Sequence, residues 1–286
     1  MARQIHFCTT PEGVRLAYTV FGSGPVIVAP PPWLSHLALE REHPRIRSFW
    51  KKLASRHTVV RYDKQGCGLS DRRRNDFSLQ KEVRDLEAIV DHLKLTAFAL
   101  FGFSQAGPVV ITYSSMHPHH VTHLILYGTF AQGETTFSPR IRAYVLFLIQ
   151  TVWGFGSKTL SEIFIPDADP NLHSFFIRFQ REAATAEMAA KLLEAQNEWD
   201  VTELLSKIAV PTLILHRKSD RVVPLSAGVA LAESIPRSAF FVLNGKDHMP
   251  ALGDAETILG IVNEFLGTED ILEINSVYDY GRLINF

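Results

Sequence analysis

The sequence predicts an α/β fold, a mostly parallel β-sheet flanked by helices and carrying a helical insertion. Three observations predict it. Short apolar runs alternate with longer amphipathic patterns, which is how strand–helix–strand crossovers read along a chain. That rhythm fails once, between residues 131 and 205, where helical patterns follow one another without a strand signal. And the chain has 286 residues, of which 46% are apolar, enough to bury a sizeable core without disulfides or metal.

The strand patterns fall at 14–21, 26–29, 58–62, 98–103, 124–127, 212–216 and 240–243. Helical patterns sit between them at 45–55, 79–93, 105–116, 225–233 and 254–266. Ser78 and Asp254 stand directly before two of these, where a short polar side chain accepts from the first free backbone amides of a helix. Within the interrupted region the helical patterns are 139–153, 172–184 and 186–199, punctuated by Gly154, Gly156, Pro166 and Pro170. A run of helices between two strand-bearing halves reads as a lid at 131–205 over a core made of 1–130 and 206–267. The alternative is that it extends the core. The tail 268–286 matches neither pattern; it reads as an edge strand, a docking segment or an extension foreign to the domain.

Lys plus Arg number 29 and Asp plus Glu 30, a formal charge of −1, which gives no electrostatic reason to bind nucleic acid or an anionic membrane. The longest apolar-rich stretch, 141–153, is short of a membrane span, and the first residues carry no apolar signal region. Cys8 and Cys67 make neither a disulfide framework nor a zinc spacing, so a reducing cytoplasm is the expected setting. His117, His119, His120 and His123 cluster around Pro118 without accompanying carboxylates or thiols, and read as surface imidazoles rather than a metal site.

Chemistry concentrates first at residues 98–113, FALFGFSQAGPVVITY. A strand enters Gly102-Phe103-Ser104-Gln105-Ala106-Gly107 and a helix leaves it, which puts Ser104 on a sharp strand-to-helix turn. The turn crowds the positions two before and two after the serine, so both must be small, as Gly102 and Ala106 are. The pattern is G-x-S-x-G with alanine in the last place. A serine hydroxyl needs a base to take its proton and a carboxylate to orient that base. Asp220 follows the strand in VPTLILHRKSDRVVP, and His248 follows the next one in FFVLNGKDHMPALGD. Loops after the carboxyl ends of parallel strands gather on one edge of a sheet, which lets Ser104, Asp220 and His248 meet. Asp247 adjoins the histidine, but loop neighbours usually point apart; His216 sits at a strand end and reads as structural. Acyl transfer also needs amides aimed at the oxyanion. Gln105 supplies one. In the loop Pro30-Pro31-Pro32-Trp33 the prolines have no N–H, so the other falls to Trp33, provided that loop does this work.

Together GFSQAG at 102–107, RYDKQGCGLSD at 61–71, PTLILHRKSDRVVP at 211–224 and GKDHMPALGD at 245–254 resemble the α/β-hydrolase family. PPWLSHLALE, the DKQGCGLSD turn and the GD after the histidine are similar to hydrolase-like domains found alone or fused to bacterial adenylate cyclases and transcriptional regulators. The resemblance implies an eight-stranded sheet, a helical lid after the sixth strand, and ester hydrolysis through an acyl-enzyme at Ser104, without metal or organic cofactor. It departs from the family at Pro31-Pro32, where relatives carry His-Gly or Pro-Gly, and at Gln65, where they tend to carry Arg. The lid segment 144–149 and Phe175-Phe176 are expected either to wall an apolar pocket or to pack the lid onto the core. Small or medium acyl esters are the expected substrates. A ligand-sensing module that keeps the triad and a C–C bond hydrolase are the alternatives. The residues say nothing of oligomeric state.

Overall fold

A computed structural model describes residues 4–267 and joins their strands into one eight-stranded sheet. Strands β1 (His6–Thr9) and β2 (Arg15–Gly22) form a hairpin; β3 (Val26–Ala29) leads through α1 (Leu37–Glu40) and α2 (Pro44–Leu53) to β4 (Thr58–Tyr62). Helix α3 (Leu79–His92) crosses to β5 (Phe98–Phe103), and α4 (Ala106–Met116) crosses to β6 (Val121–Tyr127). The insertion then runs through α5 (Pro139–Thr151), α6 (Trp153–Phe164), α7 (Pro170–Ala183), α8 (Ala186–Ala195) and the short α9 (Thr202–Leu205). The chain re-enters the sheet as β7 (Thr212–Arg217), followed by α10 (Leu225–Ser234), β8 (Ser238–Leu243) and α11 (Ala255–Phe265). The spatial order is β1-β2-β4-β3-β5-β6-β7-β8; the pairs β1/β2 and β2/β4 are antiparallel and the rest parallel.

Period-two alternation divides the core. Phe98 and Leu100 of β5 and Leu124 and Leu126 of β6 face a cluster built with α3 and α4. Ala99, Phe101 and Phe103, with Ile125 and Tyr127, face the opposite cluster, built with α2 and α11. Both faces are therefore apolar, which is why these strands read as continuous hydrophobic runs. The two caps form as the sequence predicts: Ser78 Oγ accepts from the Lys81 amide at 3.2 Å and Asp254 Oδ1 from the Thr257 amide at 3.1 Å.

The short helices α1 and α9 match none of the helical patterns read from the sequence, and two further differences have a local cause. Strand β1 carries one buried residue, Cys8, among three exposed ones, so no apolar run announced it. The pattern at 139–153 is not one helix: Val152, with φ −143°, separates α5 from α6. Gly154 and Gly156 lie inside α6 instead of ending a helix, and a Cβ on Gly156 would stand 3.0 Å from the Ile149 amide and the Leu148 carbonyl. The glycine lets α6 start hard against α5. Cys8 and Cys67 are buried free thiols. No described helix is long and apolar enough to cross a membrane. The tail 268–286 lies outside the described residues.

The loop after β4 ties two site-forming segments together. Asp63 is fully buried and accepts from the Leu37 amide at 3.0 Å and the Leu69 amide at 3.0 Å. Burial pushes its carboxyl up to about 7 against the pull of those amides. Gly66 and Gly68 take φ of +95° and +53°, which makes the turn that returns Leu69 to the aspartate. Gln65 Nε2 donates to the Arg73 carbonyl at 2.7 Å and so braces the same turn.

Candidate active site

Ser104 sits where β5 meets α4, in the left-handed region at φ +53°, a conformation that costs energy for any residue with a Cβ. Three bonds hold it there. Its amide donates to the Tyr127 carbonyl at 3.1 Å, and its own carbonyl accepts from the Gly107 amide at 2.9 Å and from Thr129 Oγ1 at 2.6 Å. Both glycines of the motif are close approaches: a Cβ on Gly102 would overlap the Val110 side chain, and one on Gly107 would overlap Thr129 Oγ1. Ala106 fits the turn, fully buried, where the usual motif has glycine.

Asp220 and His248 come from the loops after β7 and β8. His248 Nδ1 and Asp220 Oδ2 are 2.6 Å apart and buried. The other carboxylate oxygen accepts from the amides of Val222 at 2.8 Å and Val223 at 3.2 Å. Burial works to raise the Asp220 carboxyl, but the His248 charge and hydrogen bond and the Val222 amide outweigh it, so it lies below the usual aspartate value. An imidazole that donates through Nδ1 presents Nε2 as an acceptor. That Nε2 is buried and has no hydrogen-bond partner among the described residues.

Residues next to the serine in chain or in space pack against the histidine. The His248 ring lies 4.9 Å from that of Phe103 and 5.4 Å from that of Phe164, and its amide donates to the Phe164 carbonyl at 2.7 Å. At Gly128, one residue past Tyr127, a Cβ would stand 3.4 Å from both Asp220 Oδ2 and His248 Nδ1. Ser104 and His248 make no hydrogen bond with each other; such contacts commonly tighten only when substrate is bound.

Ser104 lines a cavity holding about 380 Å³ of free space, its mouth included, with Trp33, Leu34, Phe103, Phe164, Phe176 and Phe179 among its walls. The Trp33 indole donates to the Ala189 carbonyl at 3.0 Å, which pins the proline-rich loop under α8. Among the described residues, neither the Trp33 nor the Gln105 backbone amide has a hydrogen-bond partner. The Gln105 side chain is held on both sides. Its Oε1 accepts from Lys64 Nζ at 2.7 Å, and its Nε2 donates to the Leu192 carbonyl and to Gln196 Oε1, both at 2.9 Å.

The rival residues are occupied elsewhere. His216 Nε2 lies 2.9 Å from the Val223 carbonyl, and burial holds its ring below the usual imidazole value. Asp247 accepts from the Asp167 amide at 3.1 Å. His117 pairs with Glu87 at 2.8 Å, its ring lies 5.8 Å from that of His120, and His123 packs edge-on against Phe265. Among the described residues no group of His, Cys, Asp and Glu is arranged to hold a metal. Of the anticipated pocket walls, Phe176 lines the cavity, Val145 and Ile149 are buried in the apolar cluster that also holds Trp33 and Val222, and Tyr144 and Phe147 are exposed. The sequence reading missed Phe164, Phe179, Glu40 and Met249 as lining residues. Nothing local marks the first two, since their helices fold onto the site from the insertion. Met249 was signalled only by adjoining His248.

Fold and site together define an α/β-hydrolase. A model of the family described as serine aminopeptidase, S33, matches residues 44–252, and the chain belongs to that family. It is 26% identical over 274 residues to an AB hydrolase superfamily protein of Bacillus subtilis, covering 91% of this chain and 98% of that one. It is 25% identical over 267 residues to a 2-hydroxy-6-oxo-2,4-heptadienoate hydrolase of Pseudomonas putida, covering 88% of each. In fold it is similar to an esterase from Exiguobacterium antarcticum, with a TM-score of 0.83 at 22% identity, covering 93% of this chain and all of that one.

Two outcomes follow from this geometry. Gly107→Ala forces a Cβ into Thr129 and should lower the urea-unfolding free energy by about 1–3 kcal/mol, the usual range for overpacking a filled site. Asp220 lies below its unfolded value, so its contribution to stability is present above the unfolded value of about 4 and is lost as pH falls through the folded one. Asp220→Asn should therefore flatten the acid side of the urea midpoint plotted against pH.

Proposed function

We propose that this chain is a serine hydrolase of carboxylic esters, of the short- to medium-chain acyl type, with Ser104, His248 and Asp220 as its catalytic triad and the amides of Trp33 and Gln105 as its oxyanion hole. The observation that carries the reading is the His248–Asp220 pair, 2.6 Å apart, with a free Nε2, together with a serine held at φ +53° on the wall of an apolar cavity, whose chain neighbour Phe103 has its ring 4.9 Å from that of His248. Ser104 Oγ attacks the ester carbonyl as His248 Nε2 takes its proton. The two amides stabilise the charge on the carbonyl oxygen. His248 then protonates the leaving alcohol as its C–O bond breaks, and activates the water that releases the acid. Asp220 holds the ring in the tautomer this needs and stabilises its cation. The helices of 131–205 act as the lid over the core of 1–130 and 206–267, and supply Phe164, Phe176 and Phe179 to the acyl pocket. The reaction requires no metal or organic cofactor, and a small-molecule ester in the cytoplasm is its partner.

A second reading, hydrolysis of a C–C bond by the same three residues, draws on the Pseudomonas relative named for that chemistry. The apolar walls around Ser104 favour the ester. An aminopeptidase role would need an open acidic group for a substrate ammonium, and the acidic side chain of this cavity, Glu40, is already paired with Arg61.

Wild type should hydrolyse p-nitrophenyl butyrate, and Ser104→Ala should lose at least about 10³-fold in rate. A fluorophosphonate should label the peptide that contains Ser104. Turnover no better than Ser104→Ala across a series of esters, with no adduct, would move the chain to a ligand-sensing role. Trp33→Phe keeps the loop amide and should retain activity, whereas Trp33→Pro removes it and should cost about 10²–10³ in kcat.

A further inference from the structure

A second cavity adjoins the one at Ser104, and the two share Pro32, Glu40, Phe103 and Met249 as walls. It is otherwise apolar, bounded by Ile46, Phe49, Trp50 and Phe101, except that Arg61 of β4 also lines it. Arg61 is 7% exposed, is paired with Glu40, and lies with its guanidinium carbon 4.1 Å above the Trp50 ring. A buried ion pair is a poor device for stability, because its desolvation offsets its attraction and apolar residues of like size often serve as well. Nor is this pair fully satisfied: Arg61 Nε is buried and has no hydrogen-bond partner among the described residues. A buried donor without an acceptor is destabilising unless something brings one.

We propose that this second cavity is a substrate subsite, and that Arg61 Nε donates there to a neutral oxygen acceptor, a carbonyl or a hydroxyl, carried by the substrate away from its scissile ester. The proposal rests on the esterase reading above. The charge balance selects the class. Glu40 neutralises Arg61, so a carboxylate entering the cavity would meet Glu40 and an ammonium would meet Arg61. A neutral acceptor meets neither penalty and gives the buried Arg61 Nε–H a partner. The aromatic walls keep water from competing, which strengthens the bond. Glu40 borders both cavities, so the subsite lies next to the Ser104 cavity.

The test is a selectivity ratio. On the acyl side, p-nitrophenyl 4-oxopentanoate, 5-oxohexanoate and 6-oxoheptanoate are compared with the unsubstituted esters of equal chain length and with esters ending in a carboxylate. On the alcohol side, butyl, pentyl and hexyl acetates are compared with their oxo analogues by acid release. At least one oxo ester should exceed its plain counterpart about tenfold in kcat/KM, the effect expected of a hydrogen bond from a charged donor, and the carboxylates should show no gain. The double variant Glu40→Leu with Arg61→Leu, which leaves neither charge unpaired, should bring the ratio to about one. Arg61→Lys keeps the charge beside Glu40 but lacks the Nε–H, and should do the same if the double variant fails to fold. Ratios near one in wild type across both series, or a preference that survives either variant, would overturn the subsite. Absence of turnover by wild type on the plain and the oxo esters alike would instead mark failure of the esterase reading, and the subsite would fall with it.

Discussion

The left-handed backbone at Ser104 is the constraint on which the rest of this structure depends. A serine in that conformation is held only because its surroundings over-determine it. Its amide is taken by β6 through Tyr127, its carbonyl by Thr129 and by the Gly107 amide, and the two glycines admit neighbours that a Cβ would exclude. Two of those partners, Tyr127 and Thr129, come from β6 and from the loop leaving it. The turn therefore exists only when β5 and β6 are already paired in register, with Phe103 opposite Tyr127. Local sequence proposes the turn and sheet pairing enforces it.

The same turn anchors the insertion. Gln105, the residue after the serine, has its side-chain amide spanned between Lys64 on the core side and Leu192 and Gln196 on the insertion side. Lys64 is itself fully buried and paired with Glu82 at 3.3 Å, and Glu82 is paired with Arg74 at 2.9 Å. Burial pulls the Lys64 ammonium down from its ordinary value while the Glu82 charge opposes the shift. Charged groups so deep are tolerable only with their partners in place. The network thus sets the α8 end of the insertion in one position over the Gln105 amide. On the other side, the Phe164 carbonyl holds the His248 amide at 2.7 Å. The apolar cluster that joins Trp33, Phe164, Phe176 and Val222 closes the boundary between core and insertion. The candidate site is built along that seam, and neither part contains it alone.

Much of this was legible along the chain. Strands buried on both faces leave unbroken apolar runs, so seven of the eight could be read, while β1 hid because only Cys8 of its four residues faces inward. Ser104, Asp220 and His248 could be picked out as candidates because each follows a readable strand, and parallel strands deliver their exit loops to one edge. Arg61, Glu40 and Lys64 were harder to see. A charged residue near the end of a strand or helix looks the same whether it meets water or a buried partner, and each of these partners lies at least eighteen residues away along the chain.

The amino-acid order by itself determined the alternation of strands and helices, the serine turn and the placing of Ser104, Asp220 and His248 in loops that follow successive strands. These follow from local periodicity, residue size and the donors a backbone lacks at proline. Only the tertiary structure decided that α5 and α6 part at Val152, which aromatic rings wall the cavity, and that Arg61 is shut in with one nitrogen unpaired. Those outcomes depend on what distant segments bring to the same place, and no local pattern records that.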